Sequence, residues 1–287
     1  MYSQVGLAKG VEIMPTMGIL AGKGDLPKVF AKRAIAQGHR IVVIGLLGEV
    51  APELARLAQA SHPVPLGQWQ SIIDILKSEN VQDVYLLGGV SKQLLFANPQ
   101  FDERVLKLMA RLPEKNDNAV IEAFVNDLGR EGIVVRPQTD LIEDILLGPG
   151  VLTNIQPNGR AWADISYGWR IAKALAGLDV GQTVIVKDGA ILAVEAIDGT
   201  DATILRGGAL AEGGGVAVKV AKPSQDPRFD VPTIGLNTLE TAIRGGLGAI
   251  ALEAGKTLVI DADDLAMRAD DAGISIVLVD YGEVETV

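Results

Sequence analysis

Met17-Gly18-Ile19-Leu20-Ala21-Gly22-Lys23-Gly24-Asp25-Leu26-Pro27 carries the chain from one backbone periodicity to another. The apolar run at 17–21 is what a strand covered on both faces needs. Gly22-Lys23-Gly24 stops it. Pro27 fits the first turn of a helix, where its missing N–H costs nothing. Leu26, Val29, Phe30, Ala34 and Ile35 then recur at helical spacing as far as Gly38. A second apolar strand follows at 41–46, a helix at 68–78, and a third strand at 84–87 that ends in Gly88-Gly89. Strand, helix and strand alternating at this spacing predict βαβ units on a parallel sheet. Helices are expected at 101–111 and 117–131, and a short strand at 133–136.

The texture changes between 146 and 159, where Gly148-Pro149-Gly150 and Pro157-Asn158-Gly159 are turn signals in a stretch with little periodicity. The expected organisation is a frayed tail at 1–16, a first domain at 17–148, a linker at 149–159 and a second domain at 160–287. In that second domain 162–176 predicts a helix. Residues 183–187 and 190–196 predict two strands around Asp188-Gly189, a strong hairpin signal. Strands are expected at 215–220, 249–251, 257–260 and 275–279, and helices at 239–246 and 261–272. From Gly150 onward there are 11 Lys and Arg against 19 Asp and Glu.

Composition excludes several classes of function. The chain has 287 residues, enough for two α/β cores, and a formal net charge of −10, which disfavours binding to nucleic acid or anionic lipid headgroups. There is no Cys, so disulfides, thiolate zinc sites and a Cys nucleophile are out of the question. The two histidines, His39 and His62, lack the spacing of a helical metal pair. No apolar run approaches the roughly 18 residues of a membrane span. Residues 1–15 hold Lys9 and Glu12 and lack the apolar core of a signal peptide. The expected location is the cytoplasm, with at most peripheral contact at the inner face of the membrane.

Four stretches carry candidate chemistry. The loop Gly22-Lys23-Gly24-Asp25, between strand and helix, reads equally as a phosphate cradle or as a tight turn. It matches neither a Walker A loop nor a dinucleotide fingerprint. Asp179-Val180-Gly181-Gln182 reads as a loop entering a strand. Glu195-Ala-Ile-Asp198-Gly199-Thr200-Asp201 groups hard oxygen donors suited to Mg²⁺, though taken alone it is ordinary turn chemistry. Lys219-Val-Ala-Lys222-Pro223-Ser-Gln225-Asp226-Pro227-Arg228-Phe-Asp230-Val-Pro232 says most. Its three prolines hold Lys, Arg and Asp in few conformations, which suits a phosphate and metal site better than a solvated face.

With these motifs in place the chain resembles the LpxI-type UDP-2,3-diacylglucosamine pyrophosphatases of lipid A biosynthesis, from about residue 17 to residue 279. The carriers are the Gly18–Pro27 turn, Leu178–Gln182, Ala193–Asp201, Lys222–Gly235 and Gly245–Gly255. The resemblance implies an α/β fold with an N-terminal Rossmann-like open parallel sheet and a second α/β domain that is catalytic. It implies Mg²⁺-dependent hydrolysis, Mn²⁺ being an acceptable substitute, of UDP-2,3-diacylglucosamine to 2,3-diacylglucosamine 1-phosphate (lipid X) and UMP. Water would attack the sugar-side phosphorus. Asp230 falls on the aspartate of the family's Lys-Pro…Asp-x-Pro motif. The expected catalytic set is Asp230, Asp226, Lys222, Arg228 and Gln225, with Asp230, Asp201 and Glu195 on the metal. Substrate would meet Gly22, Lys23, Gly24, Asp25 and Leu26, then Gly88 and Gly89, Asp117 and Asn118, Gln182 and Thr183, and Gly199 and Thr200. Leu94, Leu95 and Phe96, just after a strand end, are candidates to line an apolar chamber for the acyl chains or to meet the membrane surface, and read equally as an ordinary helix start packed on the core. The chain departs from the family pattern at Lys92-Gln93 and Asn116-Asp117-Asn118. A homodimer is an allowed assembly. The rival readings are a pyrophosphatase for non-acylated nucleotide sugars and a sugar-nucleotide or lipid carrier without turnover.

Overall fold

The computed structural model describes residues 15–90, 101–112 and 117–281, without the side chains of Asp117 and Asn118. Leu94, Leu95, Phe96, Lys92, Gln93 and nearly all of the expected N-terminal tail lie outside the described residues.

The first half runs β1 (Thr16–Ala21), α1 (Leu26–Ala36), β2 (Arg40–Gly45), α2 (Pro52–Leu57), β3 (Ala60–Pro63), α3 (Trp69–Ser78), β4 (Asp83–Leu87), α4 (Glu103–Ala110), α5 (Asp117–Arg130) and β5 (Val134–Val135). All its strands pair in parallel, in the order β3-β2-β1-β4-β5. The expected open parallel α/β sheet is present. One face buries Phe30, Leu26 and Ala34 of α1. The other buries Trp69, Ile72, Ile73 and Leu76 of α3 with Phe124 and Leu128 of α5. The α2–β3 stretch was not legible: α2 has six residues and β3 four. Pro63 is tolerated because β3 is an edge strand. β1 and β4 are neighbours whose connections leave in opposite directions, so their carboxyl ends open a crevice where such sheets bind ligands.

A 3-10 turn at Glu143–Ile145 leads to the second half: β6 (Gly150–Val151), α6 (Gly159–Gly177), β7 (Thr183–Lys187), β8 (Ala190–Val194), α7 (Gly199–Ala211), β9 (Gly215–Lys219), β10 (Thr233–Ile234), α8 (Leu236–Arg244), β11 (Leu247–Glu253), β12 (Leu258–Val259), α9 (Ala262–Asp271) and β13 (Ser275–Val279). Six of these strands form a mixed sheet in the order β6-β13-β11-β9-β7-β8. Ile165, Trp169 and Ala172 of α6 cover one face. Ile204, Leu239 and Leu265, from α7, α8 and α9, cover the other. The expected β7–β8 hairpin turns at Asp188 and Gly189, both at positive φ (49° and 74°), the backbone a type I′ turn needs. Asp164 of α6 accepts both N–H groups of that turn, at 2.9 and 2.7 Å.

α7 was not expected; its first turn falls in the acidic stretch read as a turn. Gly207 and Gly208 obscured it, and packing requires both. A Cβ on Gly207 would lie 2.5 Å from Ile185 of β7, and one on Gly208 2.2 Å from the Gly245 carbonyl.

The segment after β9 leaves the second sheet and lies against the first. Phe229 is buried in the core of the first half, while Val231, Leu258 and Ile260 pack on the α1 side of that sheet. The Gln138 N–H donates to the Pro227 carbonyl at 2.7 Å, and the Val231 N–H donates to the Gln138 side chain at 3.0 Å. Asp230 is therefore set at the seam of the two halves. Among the described residues no helix is long and apolar enough to cross a membrane.

Candidate active site

A cleft of about 450 Å³ opens at this seam. Lys23, Gly89 and Val90 line it from the crevice side. Asp179–Gln182, Glu195–Asp201, Lys219, Lys222, Asp230 and Thr238 line it from the second half.

The glycine loop resolves toward the turn reading. The Gly22 N–H donates to the Leu87 carbonyl and the Lys23 N–H to the Gly89 carbonyl, both at 2.8 Å. Those two donors are thus used by backbone. A Cβ on Gly22 would sit 2.5 Å from the Gly89 carbonyl oxygen, so the loops after β1 and β4 meet only because residue 22 is glycine. Lys23 alone of the loop lines the cleft. Gly22, Gly24 and Asp25 border a separate surface hollow, Leu26 is core, and Asp25 pairs with Lys28 at 3.1 Å.

Lys222 is the centre of the site. Its side chain is 8% exposed, and its ammonium lies 2.8 Å from Asp179 and 2.8 Å from Asp230. Burial alone would lower the Lys222 pKa, but Asp230 and Asp179 outweigh it and hold the group above its ordinary 10.5. Asp230 and Asp179 both adopt the left-handed conformation, with φ of 60° and 56°. Non-glycine residues rarely take this backbone, and when they do it is often at functional sites. The Gln225 amide donates to the Asp230 carbonyl at 2.8 Å, and Gln138 binds the next N–H along. The direction of Asp230 is fixed from both sides.

The second cation, Lys219, is 9% exposed. It donates to the Thr200 hydroxyl at 2.9 Å, which donates to Glu195 at 2.9 Å. Thr200 sits in the first turn of α7, so the positive end of a 13-residue helix faces the cleft. Asp198 accepts from the Ala196 N–H at 3.1 Å and pairs with Arg206 at 2.9 Å. Two buried acceptors in the cleft wall have no partner among the described residues: Oε2 of Glu195 and Oε1 of Gln182.

Other expected residues lie elsewhere. Asp226 and Arg228 are turned to each other, at 2.7 Å, and do not line the cleft. The Arg228 guanidinium holds the Asp226 carboxyl below its usual range. Their pairing staples the loop that carries Asp230. Thr183 is buried in β7 and is outside the cleft lining. The side chains of Asp117 and Asn118 lie outside the described residues. Asp179, Lys219 and Asp198 were not expected in the site, although each stands in a motif singled out above. Gln138 carried no signal, because its role depends on a backbone 93 residues further along the chain.

An apolar pocket of about 260 Å³ adjoins the cleft and shares Gly89, Val90 and Asp230 with it. Leu20, Leu46, Leu66, Trp69, Phe124 and Phe229 are among its walls, with Gly88 at its edge.

Among the described residues the cleft lining holds five carboxylates, Asp179, Glu195, Asp198, Asp201 and Asp230, against three lysines, Lys23, Lys219 and Lys222, with Arg206 paired to Asp198. An anionic ligand there would gain from a cation that accompanied it. Among the described residues no three carboxylates or histidines gather as a ligand set. The carboxylates that line the cleft are hard oxygen donors, the ligand type Mg²⁺ takes, and one or two of them would be enough for an ion that keeps several waters.

Fold and cleft together define an α/β protein of two main sheets, with a polar cleft and an adjoining apolar pocket between its halves. The chain belongs to the LpxI family: its residues 16–145 match the LpxI N-terminal domain and 148–277 the LpxI C-terminal domain. It is 33% identical over 281 residues to UDP-2,3-diacylglucosamine pyrophosphatase LpxI of Caulobacter vibrioides, a match covering 94% of this chain and 99% of that one. Likenesses to solved structures are slight. UDP-glucose 4-epimerase of Thermotoga maritima gives a TM-score of 0.28 at 12% identity, over 41% of this chain and 35% of that one. The biotin carboxylase domain of Hydrogenobacter thermophilus 2-oxoglutarate carboxylase gives 0.29 at 14%, over 62% and 36%. Neither bears on function.

Proposed function

We propose that this chain hydrolyses UDP-2,3-diacylglucosamine between its two phosphates, giving 2,3-diacylglucosamine 1-phosphate and UMP in lipid A biosynthesis. The observation that carries the reading is the adjacency of the lysine-bearing cleft and the apolar pocket, which share Gly89, Val90 and Asp230. A substrate with a pyrophosphate at one end and fatty chains at the other needs both surfaces in contact. Each methylene removed from water contributes about 0.8 kcal/mol. The activity in the name of the Caulobacter vibrioides relative supports the same reading.

In this proposal Lys222, Lys219 and Lys23 meet the phosphate oxygens, with the amino end of α7 behind them. Preorganised cations in a partly desolvated cleft stabilise charge that builds on phosphorus oxygens better than solvent does. Asp230, held by Gln225 and Gln138, directs the attacking water. Mg²⁺, resting on Asp230 and Asp201, would neutralise phosphate charge. Water adds to the sugar-side phosphorus, the bond to the bridging oxygen breaks, and UMP leaves with that oxygen.

The test is turnover of purified protein on UDP-2,3-diacylglucosamine in H₂¹⁸O, with UDP-N-acetylglucosamine as the non-acylated comparison. We expect Mg²⁺-dependent hydrolysis that stops in excess EDTA, with label in the lipid phosphate and little attack on the non-acylated sugar nucleotide. Asp230→Ala should fall by about two orders of magnitude or more and retain intact substrate. No hydrolysis by the wild type with Mg²⁺, or near-normal turnover by Asp230→Ala, refutes the proposal.

A further inference from the structure

We infer that the corner of the cleft bounded by Val180, Gln182, Glu195 and Ile197 is a pyrimidine subsite that selects uracil, with Glu195 accepting the ring imide N–H. The inference rests on the function proposed above and deepens it by naming the residues that read the base. It also takes Glu195 away from the metal.

Four observations converge. First, Oε2 of Glu195 and Oε1 of Gln182 are buried acceptors without a donor among the described residues. Such groups are costly and call for a ligand that brings N–H or O–H. Second, the Glu195 carboxylate is already oriented. Its Oε1 is occupied by the Thr200 hydroxyl, which Lys219 engages in turn, so Oε2 is the oxygen left to offer. Third, backbone packing puts the two acceptors on neighbouring segments. A Cβ on Gly181 would lie 2.1 Å from the Glu195 carbonyl oxygen, and the Glu195 N–H donates to the Thr183 carbonyl at 2.8 Å. Fourth, Ile197 is 55% and Val180 40% exposed, and both line this cleft. Two aliphatic side chains left open at a polar site suit the faces of a flat ring.

The direction of the substrate follows from what the cleft shares. Gly89, Val90 and Asp230 belong also to the apolar pocket, so the acyl end lies there. Val180, Gln182, Glu195 and Ile197 belong to the cleft alone, which leaves them the nucleoside. On its pairing edge uracil presents an acceptor, the N3–H donor and a second acceptor. N3–H supplies the donor Glu195 lacks, and a ribose hydroxyl supplies one for Gln182. Cytosine carries a bare N3 lone pair at the same position. Set against a carboxylate, that pair is repelled and leaves Oε2 unpaired, so cytidine is rejected.

Calorimetric titration of the intact protein with UMP and with CMP, in Mg²⁺, reads this without turnover. We expect CMP to bind about tenfold more weakly or worse. Glu195→Gln should bring the two nucleotides within about threefold by weakening UMP, because an amide can face either ring. Ile197→Ser, at an exposed position, should weaken both nucleotides alike and keep their ratio. Equal affinity of the wild type for UMP and CMP, no binding of either, or an unchanged ratio in a folded Glu195→Gln would overturn the subsite. Should the wild type prefer UMP yet fail to hydrolyse the lipid substrate, the proposed reaction falls and the base subsite stands.

Discussion

Replacing Lys222 by methionine tests the electrostatic centre of the site. The substitution keeps the length and apolar stem of the side chain and removes its charge. Asp179 and Asp230 each lie 2.8 Å from the same nitrogen. Their facing oxygens are therefore at most about 5.6 Å apart, twice that distance. At an effective dielectric near 20, two unit charges at that separation repel by about 3 kcal/mol. The Asp230 and Asp179 side chains are 39% and 25% exposed, so solvent reduces the net effect to about 1–2 kcal/mol. In a chain of this size that lowers the melting temperature by roughly 2–8 °C. Salt screens the repulsion between the two carboxylates, so the deficit should shrink as ionic strength rises. With a pKa held above 10.5, the stability contributed by Lys222 is complete at neutral pH and is lost only as pH rises through that raised value. The assay is thermal unfolding of wild type and variant at pH 7, at low and at high salt. A variant that melts within about 1 °C of wild type at low salt, with the same salt dependence, would refute the reasoning.

Gln225→Leu removes the amide that binds the Asp230 carbonyl and should lower kcat about tenfold or more with KM little changed, since Asp230 is then free to turn; steady-state kinetics check this. Tyr85 lies in the first-half core with its pKa pushed up to about 12 by burial and by Asp140 and Asp83. Its folded-state value exceeds the unfolded one, near 10, so stability should be full below pH 10 and fall as pH rises toward 12. Tyr85→Phe should flatten that alkaline fall, read from denaturation midpoints at pH 9 and pH 11.5.

Local pattern was enough to determine most of the architecture. The apolar run of β1, the glycine stop and the spacing of Leu26, Phe30 and Ala34 specify a strand, turn and helix on a buried parallel sheet, because few other arrangements hide those side chains. Asp188-Gly189 likewise required a hairpin, since its backbone is cheap only for residues tolerant of positive φ. Lys222 and Asp230 were legible as candidates because prolines fix the loop between them, and the structure pairs them at 2.8 Å. Tertiary structure alone decided which charges meet. Asp226 and Arg228 looked equal to Lys222 and Asp230 in the sequence, but they are two residues apart, pair with one another and stand outside the cleft lining. Asp179 looked like an ordinary loop residue until α6 and β9 brought it to the other side of the Lys222 ammonium. Helix α7 was hidden by Gly207 and Gly208, whose purpose is close approach to Ile185 and Gly245, residues distant in the chain. Spacing along a sequence determines what one element buries. Which polar groups lose water together is settled only when elements far apart in the chain close on the same cleft.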